Sequence, residues 1–123
     1  MNVETYQAKV YEPASSPCWS LVADVYITEL AMPVDEFKTV ANSVRDAAQA
    51  FRLVLHKGEH GFVRVSEPVD YAVVLMGRSF SRGIHHCGVY YDGKVLHAQP
   101  DGTLHQALAS LRDQYPLMEF WVR

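Results

Sequence analysis

The apolar residues of the chain follow two different periods, helical in the first half and alternating in the second half. One stripe at helical spacing consists of Cys18, Leu21, Val22, Val25 and Tyr26. The segment Ser15-Ser16-Pro17 precedes it, and serine suits the cap of a helix while proline suits its first position. A similar stripe predicts a second helix over residues 35–51, and the Met32-Pro33 step separates the two helices.

The second half of the chain is predicted to be mainly sheet. Strands are expected where apolar residues alternate or run together, and a short helix near residues 104–112 interrupts them. The predicted strands cover residues 62–65, 71–76, 85–91, 94–98 and 118–122, after a loop at residues 57–61. This pattern predicts an α+β fold in which N-terminal helices pack on a small antiparallel β-sheet. The length of 123 residues suits a single domain, 1–123.

The dipeptide Asp92-Gly93 is a strong signal for a two-residue hairpin loop. With this loop, side-chain alternation puts His86, Gly88 and His97 on one face of the sheet. The two histidines are then diagonal neighbours with Cα atoms roughly 7–8 Å apart. His86 is therefore the candidate base, and His97 is the group that orients it. A three-residue loop would shift the register and leave two unrelated strand histidines.

The two cysteines occupy different settings. Cys18 lies one residue inside the predicted helix start, where free N–H groups and the helix dipole favour a thiolate nucleophile. The alternative is that Cys18 simply fills the core, as free cysteines often do. Cys87 is interpreted as a packing residue and, together with His85, is expected to face away from His86. No zinc site is expected, because the two cysteines are not paired as Cys-x-x-Cys.

Composition and charge restrict the classes of partner. Hydrophobic residues make up 49% of the chain and charged residues 20%, which is typical of a globular domain, and two cysteines are too few for a disulfide framework. The net charge of -3 disfavours nucleic-acid binding, which needs clustered Lys and Arg. No apolar run approaches the roughly 18 residues of a membrane span. The N-terminal residues do not resemble a signal peptide, so we expect synthesis in the cytoplasm and export only by another component.

Three short blocks of sequence occur in the order found in one known family. The blocks are Cys18-Trp19-Ser20-Leu21-Val22, His86-Cys87-Gly88-Val89-Tyr90 and Val95-Leu96-His97-Ala98. They resemble the NlpC-type cell-wall cysteine peptidases, most closely the branch found in phage tail assembly proteins. The resemblance extends from about Tyr6 to Val122. It implies a papain-like α+β fold and cleavage of peptide bonds in bacterial peptidoglycan stem peptides, typically after D-glutamate.

The resemblance also implies a role for individual residues. Cys18 corresponds to the nucleophile, His86 to the general base and His97 to the third, orienting residue. Tyr11 corresponds to a tyrosine that contacts the substrate and the oxyanion, although Tyr6 matches it better by distance. Trp19, beside the nucleophile, is either a packing residue or part of the substrate cleft. The implied chemistry needs no metal or cofactor, and the implied partners are the stem peptide and phage tail proteins, in a virion tail or at the cell wall.

The sequence departs from the family pattern mainly around the nucleophile. Pro17 stands where the family usually has Asp, and Ser20 stands where it usually has Gly. The Gly-rich loop upstream is shortened to residues 12–16, and the Gly-Asp before the core strand is Val69-Asp70. These departures favour an alternative, a catalytically inactive papain-like module that binds or builds a tail or cell-wall complex. A further alternative keeps the Cys–His pair for amidase, acyltransferase or thioesterase chemistry on another substrate.

Overall fold

The computed structural model of the protein describes residues 1–11, 17–34, 44–55 and 61–123. Within these ranges the chain forms four helices and one sheet of six strands. The helices are α1 (Val3–Gln7), α2 (Pro17–Leu30), α3 (Val44–Leu55) and α4 (Leu108–Gln114). The strands are β1 (Val63–Val65), β2 (Val73–Gly77), β3 (His86–Tyr91), β4 (Lys94–Gln99), β5 (Gly102–Ala107) and β6 (Leu117–Val122).

All neighbouring strands of the sheet run antiparallel, in the spatial order β1-β6-β2-β3-β4-β5. Strand β6 lies between β1 and β2, whereas β2 to β5 follow one another in sequence order. Helix α2 packs on β3 and β4. The α+β arrangement predicted from the sequence is therefore confirmed. Among the described helices, none combines the length and the apolar character needed to cross a bilayer.

Helix α2 begins at Pro17 and carries the buried stripe that the sequence predicts. Leu21 and Val22 have no exposed surface and belong to the core between the helix and the sheet. The helix ends at Leu30, and Ala31 then adopts a φ of 52°, in the left-handed region where helices often stop. The end of the first helix before the Met32-Pro33 step, as the sequence predicts, is thus confirmed.

Helix α3 extends further than the helix predicted over residues 35–51. It continues to Leu55, whose side chain is buried together with that of Phe51. Three predicted features fall wholly or partly outside the described residues: residues 35–43 of this helix, the serine caps at residues 15–16 and the loop at residues 57–60.

The hairpin between β3 and β4 has the register that the two-residue loop predicts. Tyr91 pairs with Lys94, Tyr90 with Val95 and Val89 with Leu96. Asp92 and Gly93 both have positive φ, at 53° and 78°. Two successive residues of this kind form the type I′ turn, which suits the twist of the flanking strands. The register on which the two histidines depend is therefore confirmed.

Two clusters of buried side chains cover the two faces of the sheet. The face under α2 is formed by Val73, Leu75, Cys87, Val89, Leu96, Ala98 and Trp121. The opposite face is formed by Val74, Met76, Val95 and Phe120, with Leu111 and Tyr115 packed on it. His86 and His97 alternate with members of the first cluster along their strands, so their Cα–Cβ bonds point to the second face. His86 is the first residue of β3, so its side chain lies at the end of the strand.

The segment predicted as a helix near residues 104–112 is divided between a strand and a helix. Its first part belongs to β5, which pairs with every residue of β4, and α4 begins only at Leu108. The prediction is wrong for the first part because β4 would otherwise expose an unpaired edge. Thr103 is buried and Leu104 is 39% exposed, which fits the two-residue period of a strand. The sequence pattern indicates neither β5 nor the short helix α1.

Candidate active site

Cys18 is the second residue of α2 and is half-buried where the helix meets the sheet. The first N–H groups of a helix have no partner within it, and the helix dipole favours negative charge beside them. This is the position that Pro17 and the apolar stripe predict. The Cys18 residue therefore keeps part of its surface exposed, and its thiol lies in a field that favours the thiolate.

Two side chains from the beginning of β3 contact the Cys18 thiol. A hydrogen bond from Cys87 is the largest influence on the pKa of Cys18, and a hydrogen bond and positive charge from His86 act in the same direction. Together they hold this pKa well below its ordinary range, although burial raises it. Cys87 has no exposed surface, and burial and the neighbouring Cys18 raise the pKa of its thiol well above the ordinary value. Cys18 is therefore the thiolate of the pair, and Cys87 is the donor.

His86 and His97 lie side by side, as the hairpin register predicts. Nε2 of His86 is 2.8 Å from Nδ1 of His97, and the ring centroids are 5.0 Å apart at an angle of 78°. Because Nε2 of His86 is occupied by His97, Nδ1 is the ring nitrogen that remains for the Cys18 thiol. The structure thus brings together the three residues that the sequence singles out for catalysis.

A fourth residue, Gln106 on β5, fixes the protonation of the two histidines. Its Oε1 is 2.6 Å from Nε2 of His97, and because an amide oxygen only accepts, this nitrogen carries the proton. Burial and the charge of His86 lower the pKa of His97 to about 4, against the opposing effect of the Gln106 hydrogen bond. His97 is therefore neutral in the neutral pH range. Its Nδ1 accepts a hydrogen bond, and Nε2 of His86 donates it.

The sequence pattern does not indicate Gln106, because its segment is predicted to be helical. In the structure Gln106 pairs directly with Val95, two residues before His97, so the three side chains share one face of the sheet. The strand period of this segment becomes visible only in the structure, where the polar Thr103 is buried and the apolar Leu104 is exposed, so the sequence carries no signal for Gln106. Placing that strand beside β4 then brings the amide to His97.

The two histidines are held in place by a glycine and a tyrosine. A Cβ atom at Gly88 would lie 2.9 Å from Cβ of His97 and 2.6 Å from the carbonyl oxygen of Leu96. Only glycine therefore allows the strands to approach here. The buried ring of Tyr115 stacks on His86, with centroids 5.7 Å apart and an interplanar angle of 24°. This stacking restricts rotation of the His86 ring.

His85 does not face away from His86 as side-chain alternation predicts. It precedes β3, and its ring also contacts Tyr115, with centroids 5.7 Å apart. Its Nε2 accepts a hydrogen bond from the backbone N–H of Arg78 at 3.3 Å. The prediction is wrong for His85 because alternation applies only within a strand. It is confirmed for Cys87, which lies in the cluster under α2.

The hydroxyl of Tyr11 is directed at the middle of α2. It donates to Oδ2 of Asp24 at 2.7 Å, and Lys9 donates to the same oxygen at 2.8 Å. Asp24 follows Cys18 by six residues, which corresponds to roughly 9 Å along a helix axis. A contact between Tyr11 and an oxyanion at Cys18 therefore requires the hydroxyl to leave Asp24. Tyr6, the other candidate for this role, is buried in the core.

Trp19 is completely buried and packs on α3. Its side chain has no exposed surface, and its ring meets that of Phe51 edge to face with centroids 6.4 Å apart. Of the two roles expected from the sequence, this position supports packing. A role for Trp19 in lining a substrate cleft is not supported, because a side chain without exposed surface does not reach a bound molecule.

A cleft of about 490 Å³ lies between α3 and the loop that leads into β3. Cys18, His86 and His97 are not among the residues that line it. Ile84, two residues before His86, does line it, so the cleft is connected to the candidate base through this segment of the chain. Arg52 and Arg82 also line the cleft, and Glu119 is the one carboxylate among the described residues that line it. The cleft therefore has a net positive lining and favours a ligand with negative charge.

Within the described ranges, no group of three or more His, Cys, Asp and Glu side chains is arranged to hold a metal ion. The described site offers instead a thiolate and an imidazole, which are the elements of nucleophilic catalysis. The base is oriented by His97 and, through it, by Gln106.

No known protein-family model matches this sequence, and no curated protein matches it. The likeness to the NlpC-type peptidases therefore rests on the three sequence blocks alone. The contacts of Cys18 with His86, and of His86 with His97, are a separate observation that does not depend on any relative.

Proposed function

We propose that this protein is a papain-like cysteine peptidase that hydrolyses peptide bonds in peptidoglycan stem peptides. The observation that carries the proposal is the continuous series of contacts from Cys18 through His86 and His97 to Gln106. Such a series holds a base in one tautomer and one orientation relative to its nucleophile. A cysteine that only fills the core requires no such series.

The proposed reaction uses Nδ1 of His86 for every proton transfer. The Cys18 thiolate attacks the scissile carbonyl, and protonated His86 gives its Nδ1 proton to the leaving amine. The backbone N–H of Cys18, at the free end of α2, stabilises the oxyanion. Nδ1 then takes a proton from water, which hydrolyses the thioester and releases the acid. Throughout, Nε2 of His86 keeps its proton in the hydrogen bond to His97.

The lining of the cleft supports an anionic substrate. Among the described residues that line the cleft, Arg52 and Arg82 carry positive charge and Glu119 carries the one negative charge. Peptidoglycan stem peptides carry free carboxylates, which two guanidinium groups bind well. Association with a phage or prophage tail, and delivery from there to the cell wall, rest on the family resemblance and belong to the same proposal.

The proposal is tested by incubating purified peptidoglycan and synthetic stem peptides with the wild type, Cys18→Ala and His86→Ala. Removing the nucleophile or the base should lower the rate of cleavage by at least ~10²–10⁴-fold. His85→Ala is the matched control, because it removes the adjacent histidine that lies outside the series, and it should retain most of the activity. Unchanged cleavage by Cys18→Ala or His86→Ala would contradict the proposal.

The position of Tyr11 favours a second candidate, a papain-like binding or structural module without turnover. The hydroxyl that the resemblance assigns to the oxyanion is bound to Asp24. Retention of stem peptides by the wild type without any cleavage would support this candidate. Cleavage of simple amides or thioesters, but not of wall material, would instead support amidase, acyltransferase or thioesterase chemistry.

A further inference from the structure

Cys87 is a buried thiol that the proposed peptidase reaction does not consume. It lies on β3 under α2, has no exposed surface and belongs to the core cluster against which Cys18 packs. Its thiol is also the hydrogen-bonding neighbour that most strongly lowers the pKa of Cys18. These are the two cysteines of the sequence, and neither forms a disulfide in the structure. Two thiols in contact, one of them nucleophilic, are the arrangement in which oxidation ends as a disulfide.

We propose that Cys18 and Cys87 form a redox-reactive pair, in which peroxide oxidises Cys18 and Cys87 then closes a reversible disulfide. The two roles follow from placement in the fold. Cys18 is half-buried at the start of α2, so part of this residue is exposed, whereas Cys87 has no exposed surface. The oxidant therefore meets Cys18 first, and Cys87 acts only on a sulfur that is already oxidised.

The proposed chemistry consists of two steps. The Cys18 thiolate attacks one oxygen of hydrogen peroxide, the O–O bond breaks, and the departing hydroxide takes the proton of His86 to form water. Cys18 is then a sulfenic acid. The Cys87 sulfur attacks the Cys18 sulfur, the S–O bond breaks, and the hydroxyl leaves as a second water with the Cys87 proton. The two sulfurs are oxidised by two electrons, and the peroxide is reduced to two waters.

The fold is compatible with closure of this bond. Helix α2 packs directly on β3, and Cys18 packs against the core cluster that contains Cys87, so the bond would join two elements that are already in contact. The disulfide would remove the nucleophile reversibly and protect it from sulfinic and sulfonic oxidation, which thiols do not reverse. The pair depends on thiol chemistry alone, so failure to cleave peptidoglycan would not affect this inference.

The test treats the wild-type protein with hydrogen peroxide and measures its intact mass, its non-reduced peptide map and its labelling by iodoacetamide. We expect a mass lower by two hydrogen atoms, a peptide that joins Cys18 to Cys87, and loss of labelling at Cys18. Dithiothreitol should restore the mass and the labelling completely. A wild type that gains oxygen at Cys18 without a joined peptide, or that forms disulfides only between chains, would overturn the proposal.

Two variants separate closure from simple oxidation. In Cys87→Ala and Cys87→Ser, peroxide should add oxygen to Cys18, and after excess peroxide dithiothreitol should not recover labelling. Each variant is compared with its own untreated sample, because Cys87 influences the starting reactivity of Cys18. Equal recovery in the wild type and both variants would show that Cys87 plays no part. The wild-type peptide map decides the question even if both variants fail to fold.

Discussion

Nε2 of His86 lies 2.8 Å from Nδ1 of His97, and this contact determines which nitrogen of His86 faces the nucleophile. Because His97 is neutral and accepts the hydrogen bond, the proton on Nε2 stays in place and Nδ1 is left for Cys18. His97 in turn depends on the acceptor supplied by Gln106. Each outer member of the site therefore acts on Cys18 through its inner neighbour, and removing any of them has a distinct expected effect.

Gln106→Leu should impair the site without touching Cys18 or His86. The change removes the acceptor for the proton on Nε2 of His97 and leaves a buried donor unsatisfied, which costs about 1–3 kcal/mol of folding free energy. His97 then reorients more freely, so alkylation of Cys18 by iodoacetamide and hydrolysis of substrate should both slow. Urea unfolding and alkylation rates measure the two effects.

Gln114→Leu makes the same chemical change at the exposed end of α4 and is the matched control for Gln106→Leu. It should leave both the stability and the Cys18 alkylation rate close to those of the wild type. If the two variants behave alike, Gln106 does not orient His97.

Gly88→Ala should push β3 and β4 apart at the histidine pair. The added Cβ would lie 2.6 Å from the carbonyl oxygen of Leu96 and 2.9 Å from Cβ of His97, so one of the strands must shift. Overpacking of this kind costs about 1–3 kcal/mol and lengthens the contact between the two histidines. Thermal unfolding and the Cys18 alkylation rate should both show the loss.

The control for Gly88→Ala is Gly93→Asn, at the tip of the same hairpin. A Cβ at Gly93 has no atom within 4 Å, and asparagine tolerates the positive φ of that turn. The positive φ of Gly93 makes this variant somewhat less stable, but the loss should be smaller than in Gly88→Ala, and alkylation should change little. A Gly88→Ala protein as stable as Gly93→Asn would contradict the close approach of the strands.

The buried, neutral His97 should make the protein less stable in acid. Burial and the charge of His86 lower its pKa from 6.5 to about 4 in the folded state. Between these values the unfolded chain binds a proton that the folded chain does not, so the free energy of unfolding falls as the pH falls from 6.5 towards 4. Over the whole range between these two pKa values, the free energy of unfolding should fall by roughly 3 kcal/mol.

Urea unfolding across that pH window, in the wild type and in His97→Asn, measures this contribution. The variant lacks a titrating group at this position, so its stability should depend less steeply on pH even though its stability near neutral pH is lower. Parallel pH profiles in the two proteins would mean that His97 does not titrate in this way.

The sequence predicts the parts of the site that local chemistry decides. Asp92-Gly93 demands a two-residue turn, and that turn sets the pairing of β3 with β4 and hence the relation of His86 to His97. The start of α2 follows from Pro17 and the apolar stripe after it. These features need only a few neighbouring residues, so the sequence is sufficient for them.

The parts that the sequence does not predict depend on partners far along the chain. A helical stripe would contain Leu104, Leu108 and Leu111. In the structure Leu104 belongs to β5 instead, because β5 pairs with the otherwise free edge of β4. The hydrogen bond of Gln106 with His97 depends on that pairing, so the sequence does not predict it either. Trp19 is adjacent to the nucleophile in sequence, yet its burial against Phe51 is a property of the packed helices.

The Cys18 thiol should stay ionised at pH values at which an ordinary cysteine is protonated. Hydrogen bonds from Cys87 and His86 lower its pKa, so alkylation by iodoacetamide, which follows the thiolate fraction, should reach half of its maximum well below a pH of about 8.5. Cys87→Ala and His86→Gln each remove one stabilising contact and should move this midpoint upward. His85→Ala should not, because His85 binds the backbone of Arg78. A wild-type midpoint near that of free cysteine would favour the inactive module over the peptidase.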